Sequence, residues 1–326
     1  MRLSVAAGLL ALMLAGCAAT LQPMGPPVTA PRLDSDGLVS DALITADGVR
    51  LPLRHWLPAK PPRAVILALH GFNDYSRSFA WPGAYFAAHG IASYAYDQRG
   101  FGNAPRPGIW PGTATLVGDL RCAAALLHER YPGVPLFVLG ESMGGAVVTL
   151  ALTSPTPADQ PALDVAGAVL VSPALWGRAV MNPFYRFTLW LGSNTVPGLT
   201  VTAPRGLEIW PSDNIEMLRA LSRDPLVIKE TRIDAISGLV DLMSDALEQE
   251  PRVTTPSLVL YGEHEQVLPP GAVDAAIARL GPAAQLKRYR DGYHMLLRDR
   301  GRLVVWRDIV AWIESRIPPA ARAAGS

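Results

Sequence analysis

Val134-Pro-Leu-Phe-Val-Leu-Gly-Glu-Ser-Met-Gly-Gly-Ala-Val-Val-Thr-Leu-Ala-Leu152 is an apolar run that passes through Gly140-Glu141-Ser142-Met143-Gly144 into a second apolar run. Residues 136–139 are continuous and apolar, as a parallel strand buried on both faces requires, and residues 146–152 carry helix formers and no breaker. The pattern reads strand, tight turn, helix, with Ser142 on the corner. Glycines two positions either side of it let strand and helix approach and relieve crowding around a nucleophile in strained backbone geometry, so that its hydroxyl projects above the sheet. In a chain with 29 glycines, a bare Gly-x-Ser-x-Gly arises by chance about one time in ten. The decision therefore rests on partners elsewhere in the chain.

Upstream, Ala64-Val-Ile-Leu-Ala-Leu69 reads as a buried strand followed by His70-Gly71-Phe72-Asn73-Asp74. A serine nucleophile needs two converging backbone N–H donors for the oxyanion, one from the residue after it and one from the loop after this strand. Met143 and Phe72 fit those places. His70 is read as a side chain supporting the loop, because the base is expected after serine and acid in chain order. Ile91-Ala-Ser-Tyr-Ala-Tyr96 is a further strand, and Asp97 and Arg99 in the following glycine-containing loop are assigned to loop architecture. Residues 113–131 read as a long helix carrying Asp119 as a polar support and Cys122 as a buried thiol. Nearer the start, Leu38-Val-Ser-Asp-Ala-Leu-Ile-Thr45 and Val49-Arg-Leu-Pro-Leu-Arg-His-Trp56 flank Ala46-Asp47-Gly48, a hairpin signal.

Downstream, Ala166-Gly-Ala-Val-Leu-Val-Ser172 and Ser257-Leu-Val-Leu-Tyr261 read as successive strands. About eighty residues separate them where a single crossover helix would take about twenty. Residues 173–250 are accordingly expected to form a helical lid, with amphipathic stretches over 215–221 and 233–247. Phe184, Tyr185 and Phe187 would either line a pocket or form the core of the lid itself. After the second strand, Gly262-Glu263-His264-Glu265 offers two acids for the place where an elbow-type hydrolase carries its acid. Last comes Asp291-Gly292-Tyr293-His294, a loop after the strand Leu286-Lys-Arg-Tyr-Arg290 that lets His294 reach back toward Ser142. Serine, acid and histidine then stand in the order this mechanism requires.

Composition narrows the classes. At 326 residues the chain can bury a large core without disulfides, and its two cysteines, Cys17 and Cys122, make no disulfide framework. A net charge of +1 with 17% charged residues implies no basic surface for nucleic acid. No zinc-spaced Cys/His set and no dinucleotide-type phosphate loop is present, so neither metal nor organic cofactor is expected. Residues 1–16 combine one positive charge, a short apolar run and small residues, as a secretory signal does. Leu14-Ala15-Gly16-Cys17 resembles the lipobox of bacterial lipoproteins, which implies cleavage before Cys17, its lipidation and a place in the bacterial cell envelope, with Ala18 pointing to the outer membrane. Residues 17–37, with Pro23, Pro26, Pro27 and Pro31, read as a semi-extended tether between membrane and domain. The expected division is core over 38–172, lid over 173–250, core again over 251–318 and a tail over 319–326.

Taken together, His70-Gly-Phe72, Asp97-Gln-Arg-Gly-Phe-Gly102, Gly140-Glu-Ser-Met-Gly-Gly145, Asp224-Pro-Leu-Val227, Gly262-x-x-Glu265 and Gly292-Tyr-His294 resemble the monoacylglycerol lipase and lysophospholipase group of α/β-hydrolases, also called the serine aminopeptidase S33-like group. The resemblance implies an α/β-hydrolase fold, a mostly parallel central sheet flanked by helices with an inserted helical lid. It implies a Ser142, His294, Glu265 triad, with Glu265 preferred over Glu263 by the family's Gly-x-x-acid spacing, although the family usually has Asp there. The implied substrates are acyl esters such as monoacylglycerols or lysophospholipids. An aminopeptidase or amidase on the same scaffold, and a non-catalytic lipid-binding lipoprotein, are the alternatives.

Overall fold

The computed structural model describes residues 18–27, 30–34, 41–202 and 208–317. The signal residues 1–16, the lipidation candidate Cys17 and the tail 319–326 lie outside the described residues. In chain order the first strands are β1 (Arg32–Asp34), β2 (Ala42–Ile44), β3 (Arg50–Trp56), β4 (Ala64–Leu69), β5 (Ile91–Tyr96), β6 (Leu136–Glu141) and β7 (Gly167–Val171). Then come the short β8 (Thr200–Val201) and β9 (Thr231–Arg232), followed by β10 (Ser257–Gly262) and β11 (Ala284–Tyr289). Among the described residues, all but β8 and β9 join one nine-stranded sheet in the order β1-β2-β3-β5-β4-β6-β7-β10-β11. From β5 to β11 the pairing is parallel, and at the other end β1, β2 and β3 pair antiparallel.

The parallel strands are apolar throughout because both faces are covered. Along β4, Val65, Leu67 and Leu69 enter one hydrophobic cluster together with Leu116 and Leu120 of α2 (Thr113–Arg130) and Val147 of α3 (Met143–Thr153). Ala64, Ile66 and Ala68 enter the other, with Phe86 of α1 (Ala80–Ala88) and Trp306, Ile309 and Ile313 of α8 (Arg302–Glu314), the helix that follows α7 (Pro270–Ile277). The two-residue period of the strand thus builds a three-layer α/β/α sandwich. Cys122 lies in the first cluster, where burial pushes its thiol up to about 11. The expected hairpin is β2 and β3, closed at Gly48 with φ 73°.

Two expectations are corrected. The stretch read as a tether is instead held to the domain in its described part. Thr20 N–H donates to Asp234, Gln22 N–H to the Trp110 carbonyl and Gly25 N–H to Asp47, and Arg32–Asp34 extends the sheet as β1. An extended proline-rich backbone has no internal partners for its N–H groups, and here the domain surface supplies acceptors. The second correction concerns the insert between β7 and β10. It contains α4 (Pro183–Thr195), the antiparallel pair β8 and β9, α5 (Ile215–Arg223) and α6 (Ile233–Gln249). The amphipathic stretches are α5 and α6, and α6 packs on α3. The α4 aromatics do not form an insert core: Phe184, Tyr185, Phe187 and Trp190 are each more than half exposed.

Where α6 ends, Glu250 is buried and its Oε2 has no hydrogen-bond partner. Burial pushes its carboxyl up to about 7, with partial relief from Thr149. Between the ordinary carboxylate value and 7 the folded chain binds the proton that the unfolded chain releases, so this group destabilises the fold as pH rises. From the ordinary 4.5 to about 7 the effect is about 3 kcal/mol at pH 8. Glu250→Gln is therefore expected to raise Tm by several degrees at pH 8 and hardly at all at pH 4.5. Thermal unfolding at the two pH values checks this, and equal shifts at both would contradict it.

Candidate active site

Ser142 has φ 53° and ψ −116°, a left-handed backbone that costs a side-chain-bearing residue about 1–3 kcal/mol. The surroundings impose it. A Cβ on Gly144 would collide with the Leu69 carbonyl, and one on Gly140 with the Gly144 backbone, so β6, α3 and β4 come together at the closest distance their backbones allow. Hydrogen bonds hold the corner: Ser142 N–H donates to the Val171 carbonyl (2.9 Å), and the Ser142 carbonyl accepts from Gly145 (2.9 Å) and Ala174 (3.0 Å).

The loop after β4 lies against this corner, close enough that a Cβ on Gly71 would sit 3.3 Å from Ser142 Cβ. Among the described residues, neither the Phe72 nor the Met143 backbone N–H has an acceptor. Met143 opens α3, where the first amides lack partners within the helix. The Phe72 ring is fixed by Phe101 and Trp110, at centroid distances of 5.5 and 6.3 Å.

His294 and Glu265 come from the loops after β11 and β10. His294 Nδ1 lies 2.7 Å from Glu265 Oε2, and both side chains are buried. The other oxygen, Oε1, accepts from the amides of Val267 (2.7 Å) and Leu268 (3.0 Å). Burial alone would raise this carboxyl, but the facing His294 and those two amides hold it below its ordinary value. Glu263, the competing acid, is exposed. Among the described residues, no hydrogen bond joins Ser142 Oγ to His294.

The remaining polar residues of the region are tied into the architecture. His70 is buried, with Nδ1 on the Gly71 carbonyl (2.8 Å) and Nε2 accepting from Gln98 N–H (3.0 Å), and burial lowers its proton affinity. A neutral ring with both nitrogens engaged serves as a brace. Asp97 accepts from Ser76 and from the Asn103 amide, and Arg99 bridges Asp47 and Asp119.

One group went unrecognised in the sequence. Arg298, buried, lies 2.7 Å from Asp74 and 3.2 Å from Glu141, joining the loop after β4, the elbow and the segment that follows His294. Next to it, Asp299 accepts from Tyr293 N–H (2.7 Å) and Ser212 Oγ (2.6 Å), which fixes the His294 loop to the insert. Burial raises Glu141, with Arg298 opposing, and raises Asp299 to about 6. The available signal was Glu141 itself, a charge inside an otherwise apolar strand-turn-helix, since a buried acid requires a cation.

With this geometry established, comparison with known proteins is decisive for the family. A model described as Hydrolase_4: Serine aminopeptidase, S33, matches residues 60–301. The chain belongs to the serine aminopeptidase S33 family. It is 25% identical over 283 residues to a monoacylglycerol lipase of Mycolicibacterium smegmatis, covering 83% of this chain and 95% of that protein. It is 26% identical over 292 residues to a human monoglyceride lipase, covering 86% and 92%. A soluble variant of the monoglyceride lipase from Saccharomyces cerevisiae, solved with a substrate analog, superposes with a TM-score of 0.70 at 17% identity over 92% of this chain and all of that one. The fold is that of the α/β-hydrolases, and the S33 chain is a carboxylic ester hydrolase.

Arg298 supplies a test of how the site is held. Arg298→Met leaves Asp74 and Glu141 buried without their cation, a change expected to cost about 3–5 kcal/mol. Denaturant unfolding should show a midpoint shift of that size at pH 8 and a smaller one near pH 5, because burial already raises the Glu141 carboxyl and its protonation removes one of the uncompensated charges. A shift below about 1 kcal/mol would contradict the bridging role.

Proposed function

We propose that this S33 hydrolase cleaves carboxylic acyl esters of the monoacylglycerol or lysophospholipid type through Ser142, His294 and Glu265. The observation that carries the proposal is the buried 2.7 Å contact between His294 Nδ1 and Glu265, made by a segment whose Arg298 binds Glu141, the residue before the strained elbow of Ser142. Glu265 holds the tautomer that leaves Nε2 as base. Nε2 takes the Ser142 proton as Oγ attacks the ester carbonyl carbon, and the oxyanion accepts from the Phe72 and Met143 amides. Collapse expels the alcohol with the proton from His294 and leaves the acyl group on Ser142. His294 then deprotonates a water, which attacks the acyl carbon and releases the carboxylic acid, and the proton returns to Ser142.

An amine-recognising peptidase would need acids free to meet the substrate. Asp224 instead accepts from Tyr75, Asp213 accepts from the Arg300 amide, and Glu208 and Glu216 are exposed. The engagement of Asp224 and Asp213 takes two of the four acids away from a substrate amine. The proposal includes a lipid anchor at Cys17 and a place in the bacterial cell envelope, supported by the lipobox-like Leu14-Ala15-Gly16-Cys17. Residues 173–250 act in it as the lid.

On p-nitrophenyl esters of increasing acyl length, Ser142→Ala and Glu265→Gln are each expected to lower kcat on the order of a thousandfold, and Glu263→Gln to leave it within about twofold. Equal losses from the two glutamate variants would overturn the assignment of the acid, and unchanged turnover in Ser142→Ala would overturn the nucleophile.

A further inference from the structure

Asn73 follows Phe72 directly and has φ 65°, a left-handed conformation uncommon outside glycine and best tolerated by asparagine and aspartate. Both its backbone carbonyl and its side chain are bonded to one stretch of the insert. The Asn73 carbonyl accepts from Ile228 N–H at 3.0 Å, and Nδ2 donates to Thr231 Oγ1 at 2.7 Å. Two residues further along the same loop, Tyr75 donates its hydroxyl to Asp224 Oδ2 at 2.7 Å, with Arg77 3.6 Å from the same oxygen. Residues 224–231 of the insert therefore grip the loop at three points between 73 and 77.

That stretch is itself braced. Asp224 Oδ1 accepts from Leu226 N–H at 3.0 Å, and Lys229 Nζ bonds the carbonyls of Asp224 and Val227. It begins with Asp224-Pro225-Leu226-Val227, a segment singled out in the sequence but given no role by the triad chemistry. On the other side of the loop, Asp74 is held to the core by Arg298. Asn73 is thus the residue through which the insert reaches the position next to the Phe72 amide, while the core holds its neighbour Asp74.

We propose that Asn73 is a positioning residue: residues 224–231 of the insert, acting through its carbonyl and side chain, set the direction of the Phe72 N–H toward the oxyanion. The proposal rests on the reading of Phe72 as an oxyanion donor. It makes transition-state stabilisation depend on the seating of the insert, because the strained turn that aims the amide is bonded to the insert. A displacement of the amide by a fraction of an ångström weakens an interaction formed in the transition state and leaves ester binding largely untouched.

Asn73→Gly tests this without threatening the fold, since glycine adopts the same φ freely. The glycine variant and Thr231→Val are each expected to lower kcat about tenfold, with KM within about twofold and Tm within a few degrees. The double variant should fall no further than either single one, and Thr231→Ser should keep wild-type turnover. A trifluoromethyl ketone analogue of the ester, which Ser142 converts to a tetrahedral oxyanion, should lose affinity by the same factor as kcat. Wild-type kcat and ketone affinity in Asn73→Gly and Thr231→Val, or a loss confined to Tm, would overturn the positioning role. Ketone affinity that survives Ser142→Ala would instead overturn the underlying assignment of the site.

Discussion

The closeness of three backbones at the Ser142 corner is the constraint on which the rest depends. β4, β6 and α3 meet where the Cβ of any other residue at 140 or 144 would overlap main-chain atoms, and the chain turns there only by placing Ser142 at φ 53°. Such a conformation persists because its surroundings over-determine it. The hydrophobic layers on both faces of the sheet supply that rigidity, with alternate residues of β4 packed against α2 and α3 on one side and α1 and α8 on the other. The serine that the proposed mechanism uses as nucleophile needs little further support on such a corner. Its partners have to be brought to it.

They arrive on loops, and loops are held by polar contacts. Arg298 binds carboxylates from the loop after β4 and from the elbow, Asp299 binds the amide preceding His294, and Glu265 is fixed by two amides on one oxygen and the imidazole on the other. A buried guanidinium facing two acids does little for stability relative to an apolar replacement of all three, but removing one member is costly, so the cluster resists drift. The insert adds a second set of contacts to the same loops through Asn73, Tyr75 and Ser212. Core and insert therefore both constrain the groups around Ser142.

Much of this was legible in the sequence, for identifiable reasons. Doubly covered parallel strands must be apolar without interruption, so β4, β6, β7 and β10 could be read directly. The corner could be read because glycine is required where backbones touch. Glu265 over Glu263 was implied only by resemblance, and its basis is a tertiary contact with His294. Arg298 was missed because its partners at 74 and 141 are far away in sequence and nothing local marks an arginine as buried. The docking of Thr20, Gln22 and Gly25 was invisible because proline-rich segments carry no periodicity, whether or not a surface receives them. The exposed aromatics of α4 have the composition of a core and depart from it because no described element covers them.

Covalent trapping of the nucleophile tests the central claim most directly. A long-chain alkyl fluorophosphonate added to the purified protein should label one site, the peptide carrying Ser142 identified by mass spectrometry, and His294→Ala should slow that labelling by several orders of magnitude. Labelling of any other residue, or labelling of Ser142 at the wild-type rate without His294, would contradict an acyl-transfer site built on this elbow.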